Sequence, residues 1–209
     1  MLAWAGVLIA GYLLGAIPTG FMAGKLLRGV DVREIGSGSS GATNVLRTLG
    51  VKAGVAVFLV DLGKGAAAAA LGQAILGTPL AAAAAGLSGV AGHNWPVYLR
   101  FRGGRGVTPF FGSLMVLSWP VALTGGAVAF AIIGLTRYVS LGSMLGALAT
   151  AAIMALLLAS GRVPLELLAY AAAGGLIIIF QHRGNIGRLL AGRERKLGQP
   201  AKSPPPGNG

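Results

Sequence analysis

Long runs of apolar residues, separated by short polar segments, make up most of the chain. A helix needs roughly 20 mostly apolar residues to cross a bilayer, and six runs approach that length: residues 2–24, 53–77, 80–98, 119–136, 139–160 and 163–181. A seventh run, 107–118, is shorter. The pattern predicts an all-α, polytopic integral membrane protein. It has one transmembrane domain over residues 1–197 and a disordered tail over residues 198–209, which are rich in Pro, Gly and polar residues.

Basic residues fall between the apolar runs in three groups, within residues 25–52, 100–105 and 183–202. The positive-inside rule places all three groups in the cytoplasm. With a periplasmic N-terminus and a cytoplasmic C-terminus, the number of crossings is odd. Residues 107–118 are therefore predicted to be a short transmembrane helix, the fourth of seven, accommodated by neighbouring helices or local thinning of the bilayer. Six spans with a re-entrant turn are the alternative, which places the most basic part of the protein on the wrong side.

Composition supports a membrane protein whose partner is an anion. Of 209 residues, 55% are hydrophobic and 36 are glycine, as suits a bundle of membrane helices. The net charge of +12 indicates a negatively charged partner, either lipid headgroups or a soluble phosphate compound. Nucleic acid is disfavoured because the basic residues lie between apolar runs rather than on one soluble face. The absence of cysteine excludes disulfides, thiolate metal sites and a cysteine nucleophile.

The first basic group contains GSGSSGATNVLR, residues 36–47. Its glycines leave backbone N–H groups free to form an anion-binding concavity, its hydroxyl groups add donors, and the residues after them are expected to begin a short helix. Arg47 follows one or two helical turns later, where its guanidinium can bind the same anion. The residues selected are Gly36, Ser37, Gly38, Ser39, Ser40, Gly41, Thr43 and Arg47. We reject the match of GSGSSG to a dinucleotide-binding fingerprint, because no βαβ unit surrounds it.

The second and third groups again combine glycine with cations. In GHNWPVYLRFRGGRGV, residues 92–107, Gly103, Gly104 and Gly106 flank Arg105, which is typical of a phosphate site built largely from main chain. In HRGNIGRLLAGRERK, residues 182–196, His182 and Asn185 share a helix face and are expected to contact the ligand. His93 is interpreted as a buried structural histidine rather than a base. The remaining cations are interpreted as a basic run on anionic lipid: Arg188, Arg193, Arg195 and Lys196.

Two further patterns concern helix packing. G-x-x-x-G spacings, which let helix backbones approach closely, occur at Gly11/Gly15, Gly20/Gly24 and Gly142/Gly146. Chance spacing among so many glycines is the alternative. Asp61 and Lys64, three residues apart within an apolar run, are expected to form an ion pair on one helix face.

Several catalytic motifs are missing from the sequence, among them G-x-S-x-G, a zinc-binding pair of histidines and a Walker loop. With five acidic residues, a paired-carboxylate mechanism has little to use. We therefore expect no metal or cofactor, and loops that hold and orient two phosphate groups. A transporter or channel for an organic phosphate is the alternative, although transporter sites tend to lie at the membrane midplane. A CDP-alcohol phosphotransferase is a weaker alternative, because that chemistry needs several clustered aspartates and this chain has two in total.

Taken in order, GSGSSGATNVLR, GHNWPVYLRFRGGRGV and HRGNIGRLLAGRE resemble the three motifs of the bacterial acyl-phosphate:glycerol-3-phosphate acyltransferases, the PlsY family. The resemblance extends over residues 1 to about 197. It implies an inner-membrane enzyme with seven helices and a cytoplasmic active site. The implied reaction moves a fatty acyl group from acyl phosphate to the 1-hydroxyl of sn-glycerol 3-phosphate, giving lysophosphatidic acid and inorganic phosphate. Membrane lipids and an acyl-phosphate-producing enzyme are its expected partners.

By motif, the resemblance assigns phosphate binding to Ser37 and Arg47, the phosphoryl group of acyl phosphate to the backbone of residues 103–106, and glycerol phosphate to His182 and Asn185. With Arg105, these are the candidate catalytic residues. The family usually has Asn at Ser39 and Lys at Arg105, and both replacements keep a donor or a charge. The resemblance also implies that the substrate's own phosphate takes the proton, with His182 as the fallback base. Thr43, Asn44 and His93 are further candidate substrate contacts.

Overall fold

The computed structural model describes residues 1–199, whose regular elements are all helices. Their bounds are α1 Leu2–Ala16, α2 Thr19–Arg28, α3 Ala42–Leu49, α4 Val51–Leu76, α5 Pro79–Asn94, α6 Val107–Thr136, α7 Val139–Ala159, α8 Leu165–Gln181 and α9 Arg183–Leu190, with short 3₁₀ turns at Val32–Glu34 and Val97–Leu99. The predicted all-α class is confirmed. The tail predicted to be disordered lies outside the described residues, apart from Gly198 and Gln199.

Four stretches are long and apolar enough to cross a membrane: Leu2–Arg28, Val51–Leu76, Val107–Thr136 and Val139–Ala159. Leu165–Gln181 and Arg183–Leu190, bent by 60°, make a fifth if they count as one span. The 16 residues of α5 form a rod of about 24 Å, shorter than the roughly 30 Å hydrocarbon core. These apolar helices agree with the membrane protein expected from the sequence.

The first apolar run contains two helices, not the single helix predicted over residues 2–24. The helix breaks at Pro18, which has no N–H group and is therefore unable to continue the hydrogen-bond ladder of α1. The Ile17 carbonyl at the break accepts a hydrogen bond from Thr19 N–H (3.0 Å). α2 ends at Gly29, whose φ of 69° is the left-handed conformation that terminates many helices. The break places α2 next to the first glycine-rich loop.

α6 is a bent helix that folds back at Ser118, where φ is −164° and ψ is 89°. Pro120 lies two residues later and disrupts the hydrogen bonding of the same turn. A straight helix of 30 residues would be about 45 Å long. The two ends of α6 are instead close together, since both lie near Glu194. The charge of Glu194 acts on Arg105, just before α6, and the Glu194 carboxylate accepts a hydrogen bond from Ser140, just after α6.

The first half of α6 lies inside the bundle, among α4, α5 and α8. Phe110 and Leu114 are fully buried, and the Phe110 ring stacks on Tyr170 of α8 at a centroid distance of 5.4 Å. The Tyr170 hydroxyl donates a hydrogen bond to the Phe110 carbonyl (2.9 Å). The Ser113 hydroxyl donates to the Gly65 carbonyl of α4 (2.9 Å). Contacts with neighbouring helices thus surround this short segment, as the sequence interpretation required.

Each G-x-x-x-G pair marks a close backbone contact. A Cβ atom at Gly15 would overlap the Gly89 carbonyl of α5, so glycine is what lets α1 and α5 touch. Gly142 and Gly146 of α7 lie equally close to Ala129 of α6. Both contacts confirm the predicted helix–helix approach.

Gly20 and Gly24 differ from that prediction, since they contact a loop rather than a helix. A Cβ at Gly20 would overlap the Ser40 carbonyl, and one at Gly24 would collide with the Val30 carbonyl and the Val32 side chain. These small residues let α2 lie directly against the first loop.

Candidate functional site

The first glycine-rich loop is shaped by Asn44, a buried side chain in the first turn of α3. Its Nδ2 donates hydrogen bonds to the carbonyls of Val32 (2.7 Å), Ile35 (3.0 Å) and Ser39 (2.9 Å). Its Oδ1 accepts one from Ser37 N–H (2.9 Å). The sequence suggested Asn44 as a substrate contact, but the structure places its amide behind the loop, where four backbone groups already occupy it.

The loop takes the tight conformation that its glycines allow. Gly36 and Gly38 have φ values of 69° and 73°, which a residue with a Cβ adopts only with strain. The Ser39 hydroxyl accepts a hydrogen bond from Gly41 N–H (3.2 Å), so this side chain is used within the loop. The short helix expected after the glycines is present as α3, which positions Arg47 near its end.

The second loop passes over the end of α5. Gly103 and Gly104 donate their N–H groups to the carbonyls of Asn94 (3.1 Å) and His93 (3.0 Å). These two amides are therefore not available for a phosphate, unlike the expectation for residues 103–106 as a whole. Arg105 N–H and Gly106 N–H take no acceptor among the described residues. The main-chain N–H groups of this loop that stay free are thus those of the two residues that precede α6.

The two loops are fixed to each other. Ser40 N–H donates to the Gly103 carbonyl (3.4 Å). Arg33 spans the gap from the other side, with its Nη1 donating to the carbonyls of Leu99 (3.2 Å) and Arg102 (3.3 Å).

Asp31 orients the Arg33 side chain that makes this connection. Its carboxylate lies 2.7 Å from Arg33 Nη2. The hydrogen bond from Arg33 holds the pKa of Asp31 below its usual value, so the pair is ionised at neutral pH. The side chain that joins the two loops is therefore held by an ionised partner at neutral pH.

The third motif lies at the bend between α8 and α9. His182 is buried and its Nδ1 lies 2.8 Å from the Ile178 carbonyl. A carbonyl only accepts hydrogen bonds, so Nδ1 carries a proton, and in the neutral ring Nε2 presents a lone pair. Asn185, also buried, donates its amide to Glu194. Gln181 connects this motif to the second loop by donating to the Gly104 carbonyl (3.4 Å).

Glu194 is the centre of a hydrogen-bond cluster that the sequence did not predict. Besides Asn185, its carboxylate accepts from Ser140 Oγ (2.8 Å) and from Arg188 Nε (2.8 Å). Burial raises its pKa, but these three hydrogen bonds outweigh burial and bring the pKa below its usual value. Glu194 is thus a fixed negative charge. The sequence signal for this role was a single acidic residue within GRERK, residues 192–196. The basic residues on either side of Glu194 led to an interpretation of the whole segment as a basic run.

Four guanidinium groups surround this carboxylate. Arg47 donates to the Arg195 carbonyl (3.3 Å), Arg195 donates to the Gly36 carbonyl (2.8 Å), and Arg105 is influenced by the charges of Arg188 and Arg47. Arg188 and Arg195 are therefore not simply an exposed basic run, because Arg188 pairs with Glu194 and Arg195 binds the first loop, while the Arg188 side chain stays 42% exposed. Arg193 and Lys196 are exposed, as that interpretation expected.

The cluster carries a surplus of positive charge. Burial lowers the pKa of Arg105 to about 10, which still leaves its guanidinium charged at neutral pH. Burial also lowers the pKa of Arg47, with a further contribution from Arg195. Among the described residues, the buried atoms Arg47 Nε and Arg195 Nη1 have no hydrogen-bond acceptor. Unpaired donors and one carboxylate among four cations make this a strong site for a multiply charged anion.

The predicted catalytic residues Arg47, Arg105, His182 and Asn185 thus converge at one end of the bundle. Ser37 lies in the first loop at the edge of the same cluster, where Gly36 binds Arg195. Thr43 lies in the first turn of α3. His93 is buried beneath the second loop, against Gly104, rather than exposed toward the cluster.

Comparison with known proteins identifies relatives along nearly the whole chain. The family model described as "Glycerol-3-phosphate acyltransferase" matches residues 5–192. A glycerol-3-phosphate acyltransferase of Gloeobacter violaceus is 46% identical over 200 residues, covering 94% of this chain and 96% of that protein. One of Synechococcus sp. strain JA-3-3Ab is 49% identical over 208 residues, covering 98% and 100%.

Two crystal structures of PlsY, an integral membrane glycerol 3-phosphate acyltransferase, are similar to this fold. The glycerol 3-phosphate form has a TM-score of 0.85 at 39% identity, covering 93% of this chain and 96% of that one. The lysophosphatidic acid form has a TM-score of 0.83 at 39% identity, covering 93% and 95%.

The role of Asn44 gives a direct prediction. Asn44→Asp replaces an amide donor by a carboxylate that faces three carbonyl oxygens, which should cost at least about 2 kcal/mol. We expect a melting temperature lower by several degrees and weaker phosphate binding, both measured on the detergent-solubilised protein. Gln199→Glu, the same chemical change at an exposed position after α9, should alter neither, because a carboxylate can still accept the hydrogen bond from Lys196 N–H. Equal behaviour of the two variants would contradict the role assigned to Asn44.

Proposed function

Because the chain belongs to the glycerol-3-phosphate acyltransferase family, we propose that it transfers a fatty acyl group from an acyl phosphate to the sn-1 hydroxyl of glycerol 3-phosphate. The products are lysophosphatidic acid and inorganic phosphate. The protein is an integral membrane enzyme. The observation that carries the proposal is the cluster of four guanidinium groups around one carboxylate, because it suits two phosphate-bearing substrates held side by side.

Each motif has a part in the proposed reaction. Ser37 and Arg47 bind the phosphate of one substrate, while Arg105 and the free amides beside it bind the phosphoryl group of the acyl phosphate. His182 presents Nε2 to the glycerol, and Asn185 lies one turn away on the same face. Glu194 fixes Asn185 and Arg188 in place.

The chemistry needs orientation more than a nucleophilic side chain. The sn-1 hydroxyl oxygen attacks the carbonyl carbon of the acyl phosphate, the bond from that carbon to the phosphate oxygen breaks, and the hydroxyl proton passes to phosphate. Acyl phosphate is a mixed anhydride with a good leaving group. Most of the reduction in the activation barrier therefore comes from alignment of the reactants and stabilisation of charge. An acyl-phosphate-forming enzyme must supply the donor.

Phosphate release by purified protein tests this proposal. With palmitoyl phosphate and glycerol 3-phosphate, release should require both substrates, and palmitoyl-CoA and acyl carrier protein thioesters should not replace the donor. Arg47→Ala should lower kcat/KM ten- to hundredfold, since it removes charge-assisted hydrogen bonds to phosphate. Arg162→Ala, exposed in the turn between α7 and α8, is the matched control and should be near wild type.

The proposal fails if folded protein releases no phosphate. Uptake of glycerol 3-phosphate into proteoliposomes by the same sample would then favour transport. Activity with thioesters would contradict the assignment of acyl phosphate as the donor, but not that of glycerol 3-phosphate as the acceptor.

We also infer seven crossings of the bacterial inner membrane, with a periplasmic N-terminus and a cytoplasmic active site. The reversal of α6 at Ser118 supports counting its two halves separately, which makes the number odd. The basic loops of the guanidinium cluster share one end of the bundle, as the positive-inside rule requires of cytoplasmic segments.

Cysteine labelling tests this topology without background, because the natural sequence has no cysteine. An impermeant thiol reagent on spheroplasts should label Leu2→Cys and Arg162→Cys, whereas Arg193→Cys should react only after permeabilisation. With six crossings, Leu2→Cys and Arg193→Cys would lie on the same side of the membrane and would be labelled together or protected together, and either result would overturn the inference.

A further inference from the structure

Three ionisable side chains are buried inside the bundle, apart from the guanidinium cluster. Asp61 and Lys64 of α4 and His93 of α5 are 1%, 7% and 6% exposed. Ionisable groups at membrane depth are costly and rare, so their presence calls for a function. The proposed reaction uses none of the three directly.

Lys64 connects α4 to the helix break between α1 and α2. Its Nζ lies 2.8 Å from Asp61 Oδ1 and donates to the Ile17 carbonyl (2.9 Å). The carbonyl belongs to the residue before Pro18, where the helix ladder is interrupted. The ammonium group therefore fixes the point at which α2 begins. α2 in turn supports the first loop through the close contact of Gly20 with Ser40.

His93 lies between the same carboxylate and the second loop. Its Nδ1 lies 3.7 Å from Asp61 Oδ1. On the other side of the ring, Nε2 faces Gly104 so closely that a Cβ there would overlap it. The His93 carbonyl also accepts the Gly104 N–H (3.0 Å). The second loop thus rests on the His93 ring and on its backbone.

These contacts meet in one compact interior site. Ile17, Gly20 and Ser40 line the space around the three ionisable side chains, and that space has no room for a water molecule. Since the two loops also touch through Ser40 N–H and the Gly103 carbonyl, a shift of α2 or of His93 moves one loop relative to the other.

We propose that Asp61, Lys64 and His93 are positioning residues that set the separation of the two phosphate-binding loops. The proposal rests on the proposed function, because it assigns one phosphate-bearing substrate to each loop. Each loop keeps its own hydrogen bonds without the network, so each phosphate still binds. The hydroxyl and the acyl carbon then lose their alignment, and the transfer step is what slows.

A variant without the two charges separates positioning from stability. Replacing a buried ion pair by apolar residues of similar size is often neutral for stability, whereas removing one partner strands a charge. Asp61→Leu/Lys64→Met should therefore fold with a melting temperature close to wild type. Amide hydrogen exchange of residues 36–41 and 103–106 should become at least tenfold faster. The kcat per glycerol 3-phosphate-binding site should fall at least tenfold, with each KM within about threefold of wild type.

Thr150→Val is the matched control, because it removes a buried polar group of α7 that lies far from both loops. It should change kcat and loop exchange by less than twofold. If the double variant fails to fold, His93→Phe keeps the ring volume and should loosen only residues 103–106.

Wild-type exchange in both loops and wild-type kcat in the double variant would overturn the positioning role. Unchanged exchange of residues 103–106 in His93→Phe would do the same. Absence of acyl transfer by the wild-type protein would instead refute the proposed function, and the exchange measurements would still decide whether the network sets the loops.

Discussion

Repulsion among four guanidinium groups is the constraint around which one end of this bundle is arranged. Like charges at short range are costly where water is partly excluded. Glu194 offsets part of this cost through its hydrogen bonds with Arg188 and Asn185, and the Gly36 carbonyl binds Arg195. The rest of the positive charge stays unbalanced until an anion arrives. This surplus is the physical basis of the proposed binding of a phosphate ester.

The cluster exists only because backbone segments approach one another very closely. Glycines let α1 lie on α5, let α2 lie against the first loop, and let the second loop pass over His93. Larger side chains at these positions would separate the loops and disperse the cations. Composition and function are thus connected: the abundant glycine that suits a membrane bundle also brings three distant motifs to one place.

Much of this could be predicted from sequence, because hydrophobic run length, positive-inside charge and glycine-rich motifs are local signals. The runs of α4 to α8, the short helix α3 and the convergence of Arg47, Arg105, His182 and Asn185 follow from them. Long-range contacts could not be predicted in this way. Nothing local shows that Asn44 faces three carbonyls, or that Arg188 pairs with Glu194. The break at Pro18 could have been predicted, since proline lacks the N–H that a continuous span needs.

We propose that the cluster of guanidinium groups, rather than the general basicity of the chain, binds phosphate. Isothermal titration of glycerol 3-phosphate into the purified protein tests it with two variants that lose one charge each. Arg47→Gln removes a half-buried cation of the cluster, and Arg193→Gln removes an exposed cation nearby. The account predicts a Kd at least tenfold weaker for Arg47→Gln and within twofold of wild type for Arg193→Gln. Equal affinities of the two variants would contradict it.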